Sequence, residues 1–249
     1  EVRNLHVTGC DIEANMPADG TPTETANVLV DQSSDRAGTS IAEVAITGCT
    51  IQHSARWGGG RIAPGGANIR ILGNQHHQPN MITISGNILS DTTTHLHFRK
   101  VTDVTVTGNT FFTSEPTDLL IEESRRVGVT GNTFNPREAG SVGAVVLRDC
   151  SHCILLGLTI HRFRSAEAAV LLERCQASRV AQCVISESRG GIKLVDCENC
   201  VVSDCTLTGV PEGVEPVRMS GKGNLASGIL APGRRAPERD RERTETGLR

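Results

Sequence analysis

The chain has very few aromatic residues, with no Tyr, one Trp and five Phe among 249 residues. A core built from such a sequence must consist of thin layers of aliphatic side chains. No run of about 18 apolar residues occurs, so no membrane-spanning helix is predicted. The formal net charge is only −3, with basic and acidic residues interspersed. This distribution lacks the broad basic surface that binds nucleic acids or anionic membranes, so neither is expected as a partner.

The start of the chain carries no targeting signal. It begins with Glu1 rather than Met and enters a strand-like segment at Leu5 without a signal-peptide pattern. We therefore interpret the sequence as a fragment that lacks the N-terminal part of a longer protein.

A strand–turn–strand phrase recurs along the chain and indicates a solenoid. It reads VTGCDI, ITGCTI, ISGNIL, VTGNTF twice, LLGLTI, AQCVIS and VSDCTL. The last apolar residues before the turns are Val7, Ile46, Ile84, Val106, Val129, Leu155, Val180 and Val202. These residues are separated by 39, 38, 22, 23, 26, 25 and 22 positions. Steps of 22 to 26 residues fit one coil of three short strands, so the sequence predicts one stacked rung for each step.

A second strand lies upstream of the turn in each regular rung. Its apolar residues alternate, as in Leu96 and Phe98, which is typical of a strand with one buried face. Because no rung can bury that face alone, each must stack on the next at ~4.8 Å. We predict an all-β solenoid of about eight rungs over residues 1–230. The segment 231–249 is predicted to be a disordered charged tail.

Two of the repeats carry a family resemblance. AVVLRDCSHCILLGLTI and HLHFRKVTDVTVTGNTF resemble the repeats of the pectate-lyase-like superfamily of right-handed parallel β-helices. The resemblance covers roughly residues 1–210 and implies a single-stranded, right-handed parallel β-helix. It also implies a polysaccharide partner and favours a secreted or periplasmic location. The superfamily contains lyases, hydrolases, epimerases and non-catalytic adhesins, so the fold alone does not select an activity.

Several columns of residues are predicted to be structural. Asn87, Asn109 and Asn132 fall at one corner of successive rungs, where their amides can form a hydrogen-bonded ladder. The nine cysteines are predicted to be reduced, buried thiols. The pairs Cys150-x-x-Cys153 and Cys197-x-x-Cys200 lie two rungs or ~9.6 Å apart, too far to share a zinc ion. We therefore predict no metal site and no cofactor. Calcium is compatible with the resemblance, but the aspartate set of the pectate lyases is absent.

Outward positions of the upstream strand hold alternating charges, Arg99, Glu122, Arg148 and Glu173. This column has two interpretations, a surface ion-pair ladder or a charged groove for a sugar polymer.

The two long steps predict loop insertions over residues 13–40 and 52–80, and functional residues concentrate on such loops. The second insertion contains candidate substrate-binding residues, namely His53, Trp57, Asn68, Arg70 and His77. Beside it, the strand from Thr94 to Arg99 alternates, which predicts that His95, His97 and Arg99 face solvent.

These residues suggest two reactions. A lyase acting on uronates needs a cation beside the carboxylate, Arg99 or Arg70, and a base, His97 or His95. A hydrolase needs two carboxyl groups, for which Asp118 and Glu122 are the candidates. Trp57 could stack on a sugar ring or act as a packing lid.

Two further readings stay open, since none of the superfamily's catalytic signatures is present. One is a non-catalytic glycan-binding or structural scaffold. The other is metal-dependent assembly through the cysteines, which predicts zinc in the purified protein.

Overall fold

The computed structural model describes residues 2–34, 40–53, 62–135, 144–164 and 167–232. All regular elements in these ranges are β-strands. They are β1 (Leu5–Thr8), β2 (Asp11–Glu13), β3 (Ala26–Asp31), β4 (Ala42–Thr47), β5 (Thr50–Gln52), β6 (Ala67–Leu72), β7 (Asn80–Ser85), β8 (Ile88–Arg99), β9 (Thr102–Thr107), β10 (Thr110–Glu122), β11 (Arg125–Thr130), β12 (Thr133–Phe134), β13 (Val145–Arg148), β14 (Ile154–Leu156), β15 (Thr159–His161), β16 (Val170–Glu173), β17 (Arg179–Ala181), β18 (Val184–Ser186), β19 (Ile192–Glu198), β20 (Val201–Ser203), β21 (Thr206–Leu207), β22 (Val217–Lys222) and β23 (Leu225–Ser227).

One sheet confirms the register counted from the sequence. It contains nine strands in the order β1-β4-β7-β9-β11-β14-β17-β20-β23, and neighbouring strands are parallel. The column predicted from the repeat lies in register through all of these pairings from Val7 to Val202. Ile84, Val106 and Val129 are fully buried in it. The chain is therefore a parallel β-solenoid, as predicted.

The other sheet has 14 strands and includes two long ones, β8 and β10. The first half of β8 pairs with β5, its second half pairs with β6, and β10 pairs with β8 over nearly its whole length. Both strands bend at a left-handed residue, Asp91 with φ 57° and Thr113 with φ 59°. The predicted second column also lies in register, from Leu96 through Leu119 and onward. Each long strand therefore turns a corner and covers two sides of the coil.

The core is mostly aliphatic and contains Phe98 and a short run of three aromatic rings. Phe111 and Phe134 stack with ring centroids 4.6 Å apart, and Phe163 meets Phe134 edge-on at 6.2 Å. The three rings are fully buried. The few aromatic residues thus contribute one stacked run to a core that is mostly a thin aliphatic layer.

The predicted asparagine ladder is present. The main-chain N–H of Asn87 donates to Oδ1 of Asn109, and that of Asn109 donates to Oδ1 of Asn132, both at 2.9 Å. Cys49 extends the ladder, because its N–H donates to Oδ1 of Asn87 at 2.9 Å. The buried amides are therefore paired with one another and with the backbone.

All nine cysteines are free thiols, and all but Cys10 are buried. Cys150, Cys175 and Cys197 occupy successive rungs, and their thiols donate to backbone carbonyls at 3.1–3.6 Å. Within the described ranges, no group of three or more His, Cys, Asp or Glu side chains is arranged to hold a metal ion.

The two predicted insertions each contribute one strand, since β3 pairs with β6 and β6 with β8. The segment after β21 forms two further strands, β22 and β23. The predicted tail lies outside the described residues from 233 onward. In the described part of the chain, no helix is long and apolar enough to cross a bilayer.

Candidate functional site

Three of the predicted site residues form a buried polar row across neighbouring rungs. The pairings of Ile69 with Leu96 and of Leu96 with Leu119 place Asn68, His95 and Asp118 side by side on β6, β8 and β10. The side-chain amide of Asn68 donates to Nδ1 of His95 at 3.1 Å, and Nε2 of His95 lies 3.4 Å from Oδ1 of Asp118.

The prediction that His95 faces solvent is wrong, since the residue is fully buried. Its ring lies 5.8 Å from that of Phe111 in the core. His95 follows the left-handed residue Asp91 and lies in the part of β8 that pairs with both β6 and β10, and strict alternation along a straight strand does not account for such a corner. Asp118 is also buried, at 3% exposure. Neither residue can touch a polymer on the surface, which contradicts their predicted catalytic roles.

Burial also sets the charge state of this pair. It lowers the pKa of His95 to about 3 and raises the pKa of Asp118 to about 7, because each charged form loses its hydration. Among the described residues, neither Nε2 of His95 nor Oδ2 of Asp118 has a hydrogen-bond partner. The row is therefore a neutral polar element inside the solenoid at mildly acidic pH.

Arg70 is held by the protein itself and not free for a substrate. Its guanidinium donates to the carbonyl oxygens of Glu24, Thr25 and Gly65, and its Nε donates to Nδ1 of His97 at 3.1 Å. The residue is only 6% exposed, and burial lowers its pKa. Arg70 therefore fastens the two insertions to the rung, which contradicts its prediction as a substrate-binding cation.

His97 and Glu122 form the accessible part of the site. Nε2 of His97 lies 3.1 Å from Oε2 of Glu122, and their side chains are 17% and 26% exposed. Burial lowers the pKa of His97, and the hydrogen bond to Glu122 opposes this shift while Arg70 and Arg99 reinforce it. A neutral imidazole thus holds a carboxylate that reaches the surface.

The predicted column of alternating charges, Arg99, Glu122, Arg148 and Glu173, lies in register. Its ion pairs do not follow the column at the Arg99 end. Arg148 contacts Glu173 at 2.6 Å through Nε and Glu122 at 3.7 Å through Nη1. Arg99 contacts Glu123 at 3.2 Å instead of Glu122. Glu122 therefore has an arginine contact on one side only, from Arg148.

His53 and His77 do not join this cluster. His53 is buried at 1% exposure, with no hydrogen-bond partner for either ring nitrogen among the described residues. The main-chain N–H of His77 donates to Oδ1 of Asn74 at 2.8 Å, within the loop after β6. Trp57 lies outside the described residues.

The sequence reasoning missed Lys100 and Glu123. Each follows a residue of the charged column and adopts a left-handed conformation, with φ of 54° and 49°. Nζ of Lys100 lies 3.4 Å from Oε2 of Glu123. The available signal was that both Arg99 and Glu122 are followed by a residue of the same charge, which doubles the charge at this corner.

Sequence comparison identifies the family. The chain belongs to the family described as the right-handed β-helix region, whose model matches residues 68–224. This confirms the predicted hand of the solenoid, and the resemblance to the pectate-lyase-like superfamily is consistent with it. No curated protein matches the sequence.

Among solved structures, one match is a trypsin-treated form of QnrB1, a plasmid-mediated fluoroquinolone resistance protein. The match covers 89% of this chain and 91% of that one, at 13% identity and a TM-score of 0.21. At this score the likeness carries no argument about function.

Proposed function

We propose that the chain is a carbohydrate-active β-helix that binds a uronate-containing extracellular polysaccharide along the charged column and cleaves it by elimination. The observation that carries the proposal is the setting of Glu122. Its carboxylate is partly exposed, is held by His97 at 3.1 Å and lies 3.7 Å from the exposed guanidinium of Arg148. A base and a cation thus share one surface.

The exposure of the carboxyl groups favours elimination over hydrolysis. A hydrolase needs two carboxyl groups that flank the scissile bond, and Asp118 is buried. Elimination needs one base and one cation. The base takes the proton from C5 of the uronate, the C4–O4 bond breaks, and a C4–C5 double bond forms. The departing oxygen leaves with a proton from water.

In this proposal Glu122 is the base and His97 positions it, which the contacts of the His97 ring support. A guanidinium can only donate, so Nδ1 of His97 accepts from Arg70 and the ring proton resides on Nε2, directed at Glu122. With both ring nitrogens engaged, His97 does not act as the base. Arg148 lies beside Glu122 in the adjacent rung and would bind the carboxylate of the uronate that reacts.

A specific observation favours a second candidate, a non-catalytic glycan-binding or structural β-helix. Three of the predicted functional residues, Arg70, His95 and Asp118, contact internal partners and are buried. Such residues belong to the interior of a scaffold and do not touch a ligand.

The test is to incubate the protein with a panel of uronate polymers and follow the absorbance of the unsaturated product. We expect turnover with at least one polymer and its loss in Glu122→Gln. Glu187→Gln is the matched control, because Glu187 is an exposed acid that pairs with Arg162 in another column. Binding without turnover across the panel would support the second candidate. Absence of both binding and turnover would overturn the carbohydrate proposal.

A further inference from the structure

An open depression of about 320 Å³ lies where the two insertions meet the charged column. Its lining includes Ser33 from the first insertion, Gly73 and Asn74 from the second, and Leu72, Arg99 and Lys100 from the rungs. The insertions that break the repeat period therefore build this surface. The two side chains of the lining that carry a formal charge are both cationic.

The loop wall of the depression is fixed in place. The buried amide of Asn74 donates to the carbonyl oxygens of Gln32 and Ser34 at 2.9 Å, which ties the two insertions together. A Cβ at Gly73 would lie 2.2 Å from the carbonyl oxygen of Lys100, so only glycine allows the loop to pack directly on the rung. A wall of this kind is preorganised for a ligand.

The carboxylate of Glu123 contacts both cations of the depression, Arg99 and Lys100. Oε1 of Glu123 lies 3.2 Å from Nε of Arg99, and Oε2 lies 3.4 Å from Nζ of Lys100. The side chains of Arg99 and Glu123 are about half exposed, and exposed ion pairs of this kind are weak. Another carboxylate can therefore replace that of Glu123 at little cost.

We propose that this depression is the subsite for an acidic sugar, whose carboxylate displaces that of Glu123 and bridges Arg99 and Lys100. The inference rests on the proposed function and deepens it. Leu72, Arg99 and Glu122 lie side by side in register, so the strand that carries the proposed base is the neighbour, at ~4.8 Å, of the strand whose Arg99 lines the depression. A uronate polymer crossing the rungs then presents a neighbouring sugar to Glu122.

The binding test is a calorimetric titration of the full chain with a uronic acid trisaccharide, with a neutral trisaccharide and inorganic phosphate as comparison ligands. Arg99→Gln and Lys100→Gln are each expected to weaken trisaccharide binding by about tenfold, which is the loss of one charge-assisted contact. Glu123→Gln is expected to strengthen it severalfold, because it removes the competing carboxylate. A merely structural role for Glu123 predicts no gain.

Arg174→Gln is the matched control. Arg174 is an exposed arginine that pairs with Asp149 at a left-handed corner of a different rung. The Arg174→Gln variant should bind the trisaccharide as tightly as the parent protein does. Circular dichroism verifies that each variant is folded. Unchanged binding in both Lys100→Gln and Glu123→Gln would overturn the subsite. Phosphate binding as tightly as the trisaccharide would also overturn it, since the site would then hold any anion.

Kinetics separate this proposal from the proposed function. If the trisaccharide binds with the expected dependence on Lys100 and Glu123 and no polymer is cleaved, the subsite stands and the elimination fails. If a polymer is cleaved with KM unchanged in Lys100→Gln and Glu123→Gln, the elimination stands and the subsite is overturned.

Discussion

The Nε of Arg70 donates a hydrogen bond to Nδ1 of His97 at 3.1 Å. This bond joins the buried interior of the insertions to the surface carboxylate of Glu122, because the opposite nitrogen of the same ring lies 3.1 Å from that carboxylate. The imidazole of His97 therefore contacts both a buried guanidinium and the candidate base.

Replacing Arg70 should change both the titration of His97 and the stability of the protein. Arg70→Gln removes a positive charge beside the ring, so we expect the pKa of His97 to rise, as measured by NMR titration of the imidazole. It also leaves the carbonyl oxygens of Glu24, Thr25 and Gly65 without their donor. We expect a loss of about 2 to 4 kcal/mol in the free energy of unfolding.

The control for this experiment is Arg174→Gln, at an arginine whose side chain is 54% exposed. It should lower stability by no more than about 1 kcal/mol. Equal losses in the two variants, or an unchanged pKa of His97 in Arg70→Gln, would contradict the bonding described here.

Asp118 should make the protein less stable as pH rises. The pKa of Asp118 is raised in the folded state, so between its ordinary value and about 7 the unfolded chain releases a proton that the folded chain retains. Asp118→Asn removes this titration. Between pH 4 and pH 8, we expect the free energy of unfolding of the variant to rise by about 2 to 4 kcal/mol relative to that of the parent protein, as measured by urea unfolding.

The neighbouring His95 titrates with the opposite sign. Its pKa is lowered in the folded state, so its unfavourable contribution is present at low pH and disappears as pH rises through the pKa of the unfolded chain. Asp103→Asn is the control, because Arg126 lowers the pKa of that exposed carboxyl. The stability of the parent protein relative to this variant should therefore increase as pH rises. A difference between Asp118→Asn and the parent that does not vary with pH would contradict the buried pair.

The stacking of the core could be predicted because two independent periods agree in the sequence. The alternation within each strand and the spacing of about 22 to 26 residues between rungs both place Ile84, Val106 and Val129 in one column, and the structure has them in register. Buried aliphatic columns leave this trace because each rung must repeat the inward pattern of the last.

The candidate site was predicted less well, for a local reason. Alternation assigned His95 and His97 to one exposed face, yet His95 is fully buried and His97 is partly covered. The left-handed residues that bend the long strands, Asp91 and Thr113, are not glycines, and the repeat phrase does not mark them as corners. The insertions that bury Arg70 fold over the rung through contacts distant in sequence, which periodicity does not encode.

The asparagine ladder should be a major source of stability at its corner. Oδ1 of Asn109 accepts from both the main-chain N–H and the side-chain amide of Asn87 at 2.9 Å. Asn109→Ala leaves both donors buried without this acceptor, so we expect a loss of about 2 to 4 kcal/mol in urea unfolding. Thr110→Ala, at the exposed neighbouring position, should stay within about 0.5 kcal/mol of the parent protein. Similar losses in both variants would mean that the ladder is not the cause.

The thiols should divide into one reactive group and eight protected ones. Cys10 is exposed, whereas the other cysteines are buried and contribute to the core as small apolar side chains. With an excess of an aromatic disulfide reagent, we expect one thiol of the native protein to react promptly and the other eight to react only in denaturant. Cys10→Ser should remove the prompt reaction and leave the eight unchanged. Prompt reaction of Cys150, Cys175 or Cys197 in the native protein would show that the stacked rungs open locally, since these thiols reach solvent only when neighbouring rungs separate.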